Sequence, residues 1–84
     1  MSEAEIRDAL RRFVLDELMQ RPDYPLGDRD PLMSEGLIDS FSVALLAVFI
    51  ELTFGVYVPD VELTVEAMDT IELITRRVLA GLAG

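Results

Sequence analysis

The residues best placed for chemistry lie in one short run, Gly36-Leu37-Ile38-Asp39-Ser40-Phe41. Asp39 and Ser40 are helix-start residues standing where a punctuated stretch gives way to an apolar one. A serine at such a boundary presents a hydroxyl beside unpaired backbone N–H groups and the positive end of a helix dipole, a setting that suits a phosphate dianion. Taken alone, the Asp-Ser pair reads equally as an ordinary helix cap. A second acidic pair, Asp28 and Asp30, invites a calcium reading, but the calcium-loop pattern needs a third ligand and then Gly where Leu32 and Met33 stand. A solvated acidic loop is the expectation there.

What is missing narrows the chemistry further. The chain has no Cys and no His, and all seven of its basic residues are Arg. It therefore lacks a thiolate nucleophile, a disulfide, the commonest zinc ligands, the usual neutral-pH general base and a Schiff-base amine. Catalysis would have to rest on paired carboxylates converging in a pocket. No spacing in the sequence suggests such a pair, and no self-contained enzyme is expected.

The elements that must position Ser40 follow from hydrophobic periodicity. Ser2 and Glu5 have capping-box spacing, and Ile6, Ala9, Leu10, Phe13, Val14 and Leu18 recur at three and four, predicting a first helix from about Ser2 to Gln20 that ends before Pro22. From Arg21 to Asp39 there is no sustained period, and Pro22, Pro25, Gly27, Pro31 and Gly36 mark a long loop. Its Leu26, Leu32, Met33, Leu37 and Ile38 are apolar enough to hold it on a core.

The helix opened by Asp39 and Ser40 carries two apolar stripes. Val43, Leu46, Ala47, Ile50 and Phe54 suffice to reach a core. Phe41, Ala44, Leu45, Val48 and Leu52 repeat the same spacing about 200° around the helix, with Glu51 beside them. Either the helix is sandwiched or this second stripe is a docking surface. Gly55 stops the helix, and Val56-Tyr57-Val58 before Pro59 reads as a short extended connection. Asp60 to Glu66 allows only a short helix or turn. Asp69 or Thr70 then caps a last helix bearing Ile71, Ile74 and Val78, with Arg76 and Arg77 toward its C-terminal end and a frayed tail from Ala80.

At 84 residues, 51% of them apolar and 27% charged, the chain fits one small globular domain, residues 1–84. Its net charge of −9 disfavours nucleic acid and suits meeting basic patches on proteins. Ser2, Glu3 and Glu5 after Met1 have the wrong charge to open a secretory signal, and Phe41 to Val58, interrupted by Glu51 and Gly55, makes no membrane span. A cytoplasmic monomer is the expectation.

With these features in place, the sequence resembles the acyl carrier and peptidyl carrier proteins along nearly its whole length. The resemblance rests on the helix-one pattern, the long loop with Asp30 and Leu32, the Gly36-to-Phe41 run, and Phe54-Gly55-Val56 with Val58-Pro59-Asp60, Phe54 lying fourteen residues beyond Ser40. It implies an all-α, four-helix bundle with three main helices, one short helix and a long loop between the first two. The core would be drawn from Ile6, Leu10, Phe13, Val43, Leu46, Ile50, Phe54, Ile71, Ile74 and Val78. It also implies that Ser40 is esterified by 4'-phosphopantetheine, transferred from coenzyme A by a magnesium-dependent phosphopantetheinyl transferase that uses Asp39 for recognition. Acyl-loading and acyl-processing enzymes of a polyketide, fatty acid or nonribosomal peptide type pathway would then dock on Phe41, Ala44, Leu45, Val48, Glu51 and Leu52. Many fatty-acid-type carriers have acidic residues where this chain has Leu45, Val48 and Leu52, so hydrophobic docking is implied here. The glycine four residues before the serine looks more like D-alanyl and some stand-alone carriers, although the tryptophan common in D-alanyl carriers is absent. An aminoacyl carrier subtype is one alternative; an unmodified helical adaptor binding a protein through the same apolar face is another.

Overall fold

A computed structural model describes all residues, 1–84. The chain is all-helical, with no strands. Helix α1 spans Glu3–Phe13, α2 Ser40–Phe54, α3 Val65–Met68 and α4 Ile71–Ala83. A π-helical turn, Val14–Leu18, continues α1, and a 3₁₀ turn, Asp60–Glu62, precedes α3.

Each start follows from its capping residue. Ser2 and Glu5 form the full capping box: the Ser2 hydroxyl accepts from Glu5 N–H, and the Glu5 carboxylate accepts from Ser2 N–H. The bond from Ser2 N–H, followed by one with the Ser2 side chain, favours the ionised Glu5 carboxylate and holds its pKa below the usual carboxylate value. Thr64 and Thr70 cap α3 and α4 through their hydroxyls. Gly55, at φ 71°, takes the left-handed conformation that closes α2.

The first helix departs from the periodicity reading at its end. Beyond Phe13 the hydrogen bonds span more residues, with Met19 N–H donating to Val14 C=O, five residues back, and Arg21 N–H to Leu15 C=O, six back, both at 2.8 Å. In this wider π turn the consecutive side chains Val14 and Leu15 are both buried. Gln20 then takes a left-handed φ of 54°, and the chain leaves the helix ahead of Pro22.

The core gathers Ile6, Leu10 and Val14 from the first helix, Val43, Leu46 and Ile50 from α2, and Ile71, Ile74 and Val78 from α4, all essentially inaccessible. Phe13 and Phe54, expected in this core, are only half-buried. They flank Phe49 instead: Phe13 stacks on it at 4.2 Å between ring centroids and Phe54 meets it edge-on at 6.1 Å. Met68, Val56 and Val58 close the remaining side.

Two further expectations change at the C-terminus. The tail is not frayed from Ala80, since α4 runs to Ala83 and Gly81 lies against buried Val56. Arg76 and Arg77 consequently lie within α4, where Arg76 pairs with Glu72 at 2.8 Å and Arg77 with Glu62 at 2.6 Å, tying the 3₁₀ turn to α4. No helix is long and apolar enough to cross a membrane.

Candidate functional site

Ser40 is the first residue of α2 and is exposed. The capping role belongs to Asp39 alone: extended at φ −104° and ψ 179°, it accepts from Ser42 N–H at 2.8 Å through Oδ1. That bond, followed by one with the Ser42 side chain, holds the Asp39 carboxyl below the usual carboxylate range. The Ser40 hydroxyl makes no hydrogen bond within the chain, so of the two helix-start residues only Asp39 caps. Asp39 completes the helix and stays ionised; Ser40 presents a free hydroxyl.

The loop that delivers Ser40 is fixed to the body of the protein by contacts that periodicity does not report. Leu26, Leu32 and Ile38 are buried, and Ile38, two residues before Ser40, donates its N–H to Leu32 C=O at 2.9 Å. Gly36, at φ 75°, makes the left-handed turn between them. Leu32 N–H in turn donates to Asp69 C=O at 2.7 Å.

The sequence left Asp69 and Thr70 as alternative caps for α4. Thr70 supplies the α4 cap, and the Asp69 side chain turns toward the loop instead. Its Oδ1 accepts from Met33 N–H at 2.7 Å and Ser34 N–H at 3.0 Å, and its Oδ2 from the Ser34 hydroxyl at 2.7 Å. Burial pushes its pKa upward, but the bonds from Ser34 and Met33 outweigh this and leave it below the ordinary value. The one sequence signal for such a role was redundancy: two candidate caps stood side by side where a helix needs one.

The acidic pair at Asp28 and Asp30 is structural. Asp28 lies half-buried against two guanidiniums, Arg11 and, at 3.4 Å, Arg7, which corrects the expectation of a solvated loop. Asp28 C=O also accepts from Glu72 N–H, and Asp30 Oδ2 accepts from Gly27 N–H at 2.8 Å.

The two-stripe question on α2 is resolved by exposure. Val43, Leu46 and Ile50 are buried, while Phe41 is 71% exposed, Leu45 41%, Val48 53% and Leu52 82%. Ala44 and Glu51 are exposed as well. The helix is not sandwiched. Between this stripe and the end of the first helix runs an open apolar groove of about 390 Å³, floored by Phe13, Leu18, Leu45, Val48, Phe49 and Leu52.

No family model matches the chain, and no curated protein matches it.

Proposed function

We propose that this chain is a carrier protein that holds an acyl or aminoacyl group as a thioester on a 4'-phosphopantetheine arm esterified to Ser40. The observation that carries the reading is the free, exposed Ser40 hydroxyl at the first position of α2, with capping assigned to its neighbour. Three longer helices, one short helix and a long pinned loop before α2 are compatible with an acyl-carrier-like bundle.

The residues present fit the group. An unengaged hydroxyl can be esterified without breaking an internal bond, and a phosphodiester there would lie at the positive end of the α2 dipole. The arm supplies the thiol that a chain without Cys lacks. The chain's own part is positional. The Asp69 and Ile38 anchors hold the loop, Asp39 fixes the helix start and offers a negative mark beside the hydroxyl, and the stripe from Phe41 to Leu52 offers apolar surface to loading and processing enzymes. Tethering then raises the effective concentration of the cargo at each docked partner. Transferase recognition through Asp39, and the wider docking set with Ala44 and Glu51, belong to this same proposal.

Intact-mass spectrometry after incubation with coenzyme A, magnesium and a broad-specificity phosphopantetheinyl transferase tests it. The expected result is one added phosphopantetheine, lost in Ser40→Ala. Because Ser40 is not the cap, Ser40→Ala should change stability by less than about 0.5 kcal/mol. The exposed stripe also favours a second reading, an unmodified adaptor; a folded protein that several transferases leave unchanged would favour it instead.

A further inference from the structure

We infer that an open cleft in the loop before Ser40, lined by Tyr24, Asp30, Pro31, Glu35 and Leu37, holds the middle of the phosphopantetheine arm when no partner enzyme is bound. The inference rests on the carrier reading and adds to it a resting place for the arm on the loop, apart from α2.

The turns of the loop build the cleft. Asp30 N–H donates to Gly27 C=O at 3.3 Å and Gly36 N–H to Met33 C=O at 3.1 Å, while Leu26, Leu32 and Ile38 are buried behind them. With those three side chains pinned to the core, their neighbours surround a hollow of about 430 Å³, within the range of about 300–1,000 Å³ usual for small-ligand sites. Leu37 stands three residues before Ser40, so even a fully extended chain would separate them by no more than about 11 Å. The cleft shares no residue with the groove along α2.

Its chemistry is that of a hydrogen-bond acceptor. Asp30 uses one oxygen to accept from Gly27 N–H at 2.8 Å. Its other oxygen, the Glu35 carboxylate and the Tyr24 hydroxyl make no hydrogen bond within the chain, and neither acid has an ion-pair partner. The Arg21 guanidinium lies over the Tyr24 ring, 4.9 Å from its centroid, a cation–π contact that steadies the ring and leaves the hydroxyl available. Unused acceptors flanked by apolar Pro31 and Leu37 suit a ligand that carries N–H and O–H donors beside a branched apolar group. Pantetheine is such a ligand: its amides and hydroxyl are donors, and a pair of methyl groups stands next to the hydroxyl. The phosphodiester, which the carboxylates would repel, is kept from them at Ser40, by the positive end of the α2 dipole.

Weak contacts suffice because the ligand is tethered. A short flexible tether gives an effective concentration of order mM, so an intrinsic Kd of about 1 mM would keep the arm in the cleft about half the time. An arm held this loosely is readily surrendered to a docked enzyme.

The test compares the NMR spectrum of the isotope-labelled full chain before and after transferase treatment, with intact mass read on the same samples. Added phosphopantetheine should shift the amides of Tyr24, Asp30, Glu35 and Leu37 as well as those of Ser40 and Phe41, and nuclear Overhauser contacts should join the methyl groups of the arm to the Tyr24 ring and the Leu37 methyls. Tyr24→Phe/Glu35→Ala, which removes two acceptors at a half-buried and an exposed position, should reduce the loop shifts about threefold or more while added mass and circular dichroism stay as in wild type. Changes confined to Ser40 and its immediate neighbours, Overhauser contacts to Val48 or Leu52 in place of Tyr24 and Leu37, or loop shifts untouched by the double substitution would each overturn the inference and leave the carrier reading standing. A folded chain that gains no mass would instead overturn the carrier reading, and this inference with it.

Discussion

Removing the Asp69 carboxylate should loosen the loop that presents Ser40 while leaving every helix cap in place. In Asp69→Ala three donors lose their acceptor, and they are not equal. Met33 N–H is half-buried and loses a 2.7 Å bond to an ionised oxygen, a loss worth about 1.5–3 kcal/mol. Ser34 is exposed, so water can replace its partners and its share is about 0.5 kcal/mol or less. The expected loss is thus about 2–3 kcal/mol for Asp69→Ala, and about 1 kcal/mol for Asp69→Asn, whose amide oxygen still accepts from Met33. With a urea slope of about 1 kcal/mol/M for a chain this small, the Asp69→Ala midpoint should fall by about 2–3 M. The pH dependence has a definite sign. The folded pKa is below the unfolded value of about 3.9, so the stabilisation is present above that value and is lost as pH falls through the folded pKa. The gap between wild type and Asp69→Asn should therefore narrow as the pH is lowered from about 5 toward 2. In the transferase assay Asp69→Ala should also slow modification of Ser40 at a temperature where the protein remains folded. A midpoint within about 0.5 M of wild type, or a gap that widens in acid, would refute the anchoring argument.

Asp39 can be divided into its two roles. Asn caps as well as Asp, so Asp39→Asn should keep the melting temperature while slowing the transferase, whereas Asp39→Ala should lower both; equal modification of wild type and Asp39→Asn would remove charge from the recognition. Gly81→Ala gains helix propensity but places a Cβ 2.3 Å from Val56 Cγ1, and overpacking should leave a net loss of about 1–2 kcal/mol. Val56→Ala in the same chain should recover part of that loss, which a double-mutant cycle by thermal melting measures. On α2, Leu46→Ala should cost about 2–5 kcal/mol and Val48→Ser less than about 0.5 kcal/mol; comparable losses would show that both stripes are buried.

Much of the fold is legible because caps and apolar spacing agree locally. Ser2, Asp39, Thr70 and Gly55 bound helices where periodicity puts them, and eight of the ten expected core residues are buried. The misreadings arise where tertiary contacts choose between local options. Phe13 obeys the α-helical spacing, yet its ring gains more by stacking on Phe49 at the surface than by entering a core already filled by Leu10 and Val14. Leu15 was off the stripe at the roughly 100° step of an α-helix and moves toward it in the wider π turn, whose step per residue is smaller. Asp69 could cap α4 as well as Thr70 could, and only the approach of Met33 and Ser34 decides between them. At the candidate site the identity of Ser40 was legible, but its freedom was not, because a cap and a presented hydroxyl share one sequence pattern.

The same distinction bears on the carrier reading of a chain with so little interior. Neither Ser40 nor the exposed stripe lies in an enclosed pocket, and Asp39, the adjacent acid, accepts from Ser42 with its carboxyl held below the usual range, which makes it a weak base. On the carrier reading, the base for esterification of Ser40 would come from the transferase, and recognition from surfaces around the hydroxyl. The loop is tied through Leu32, Met33 and Ser34 to Asp69, twenty-nine residues beyond Ser40. On the carrier reading, a partner gripping α2 would meet the serine at a fixed offset from the apolar stripe. Releasing the Asp69 anchor should blur that offset without touching either surface, so Asp69→Ala is expected to impair modification more than Val48→Ser when the transferase reads the loop, and less when it reads the helix face.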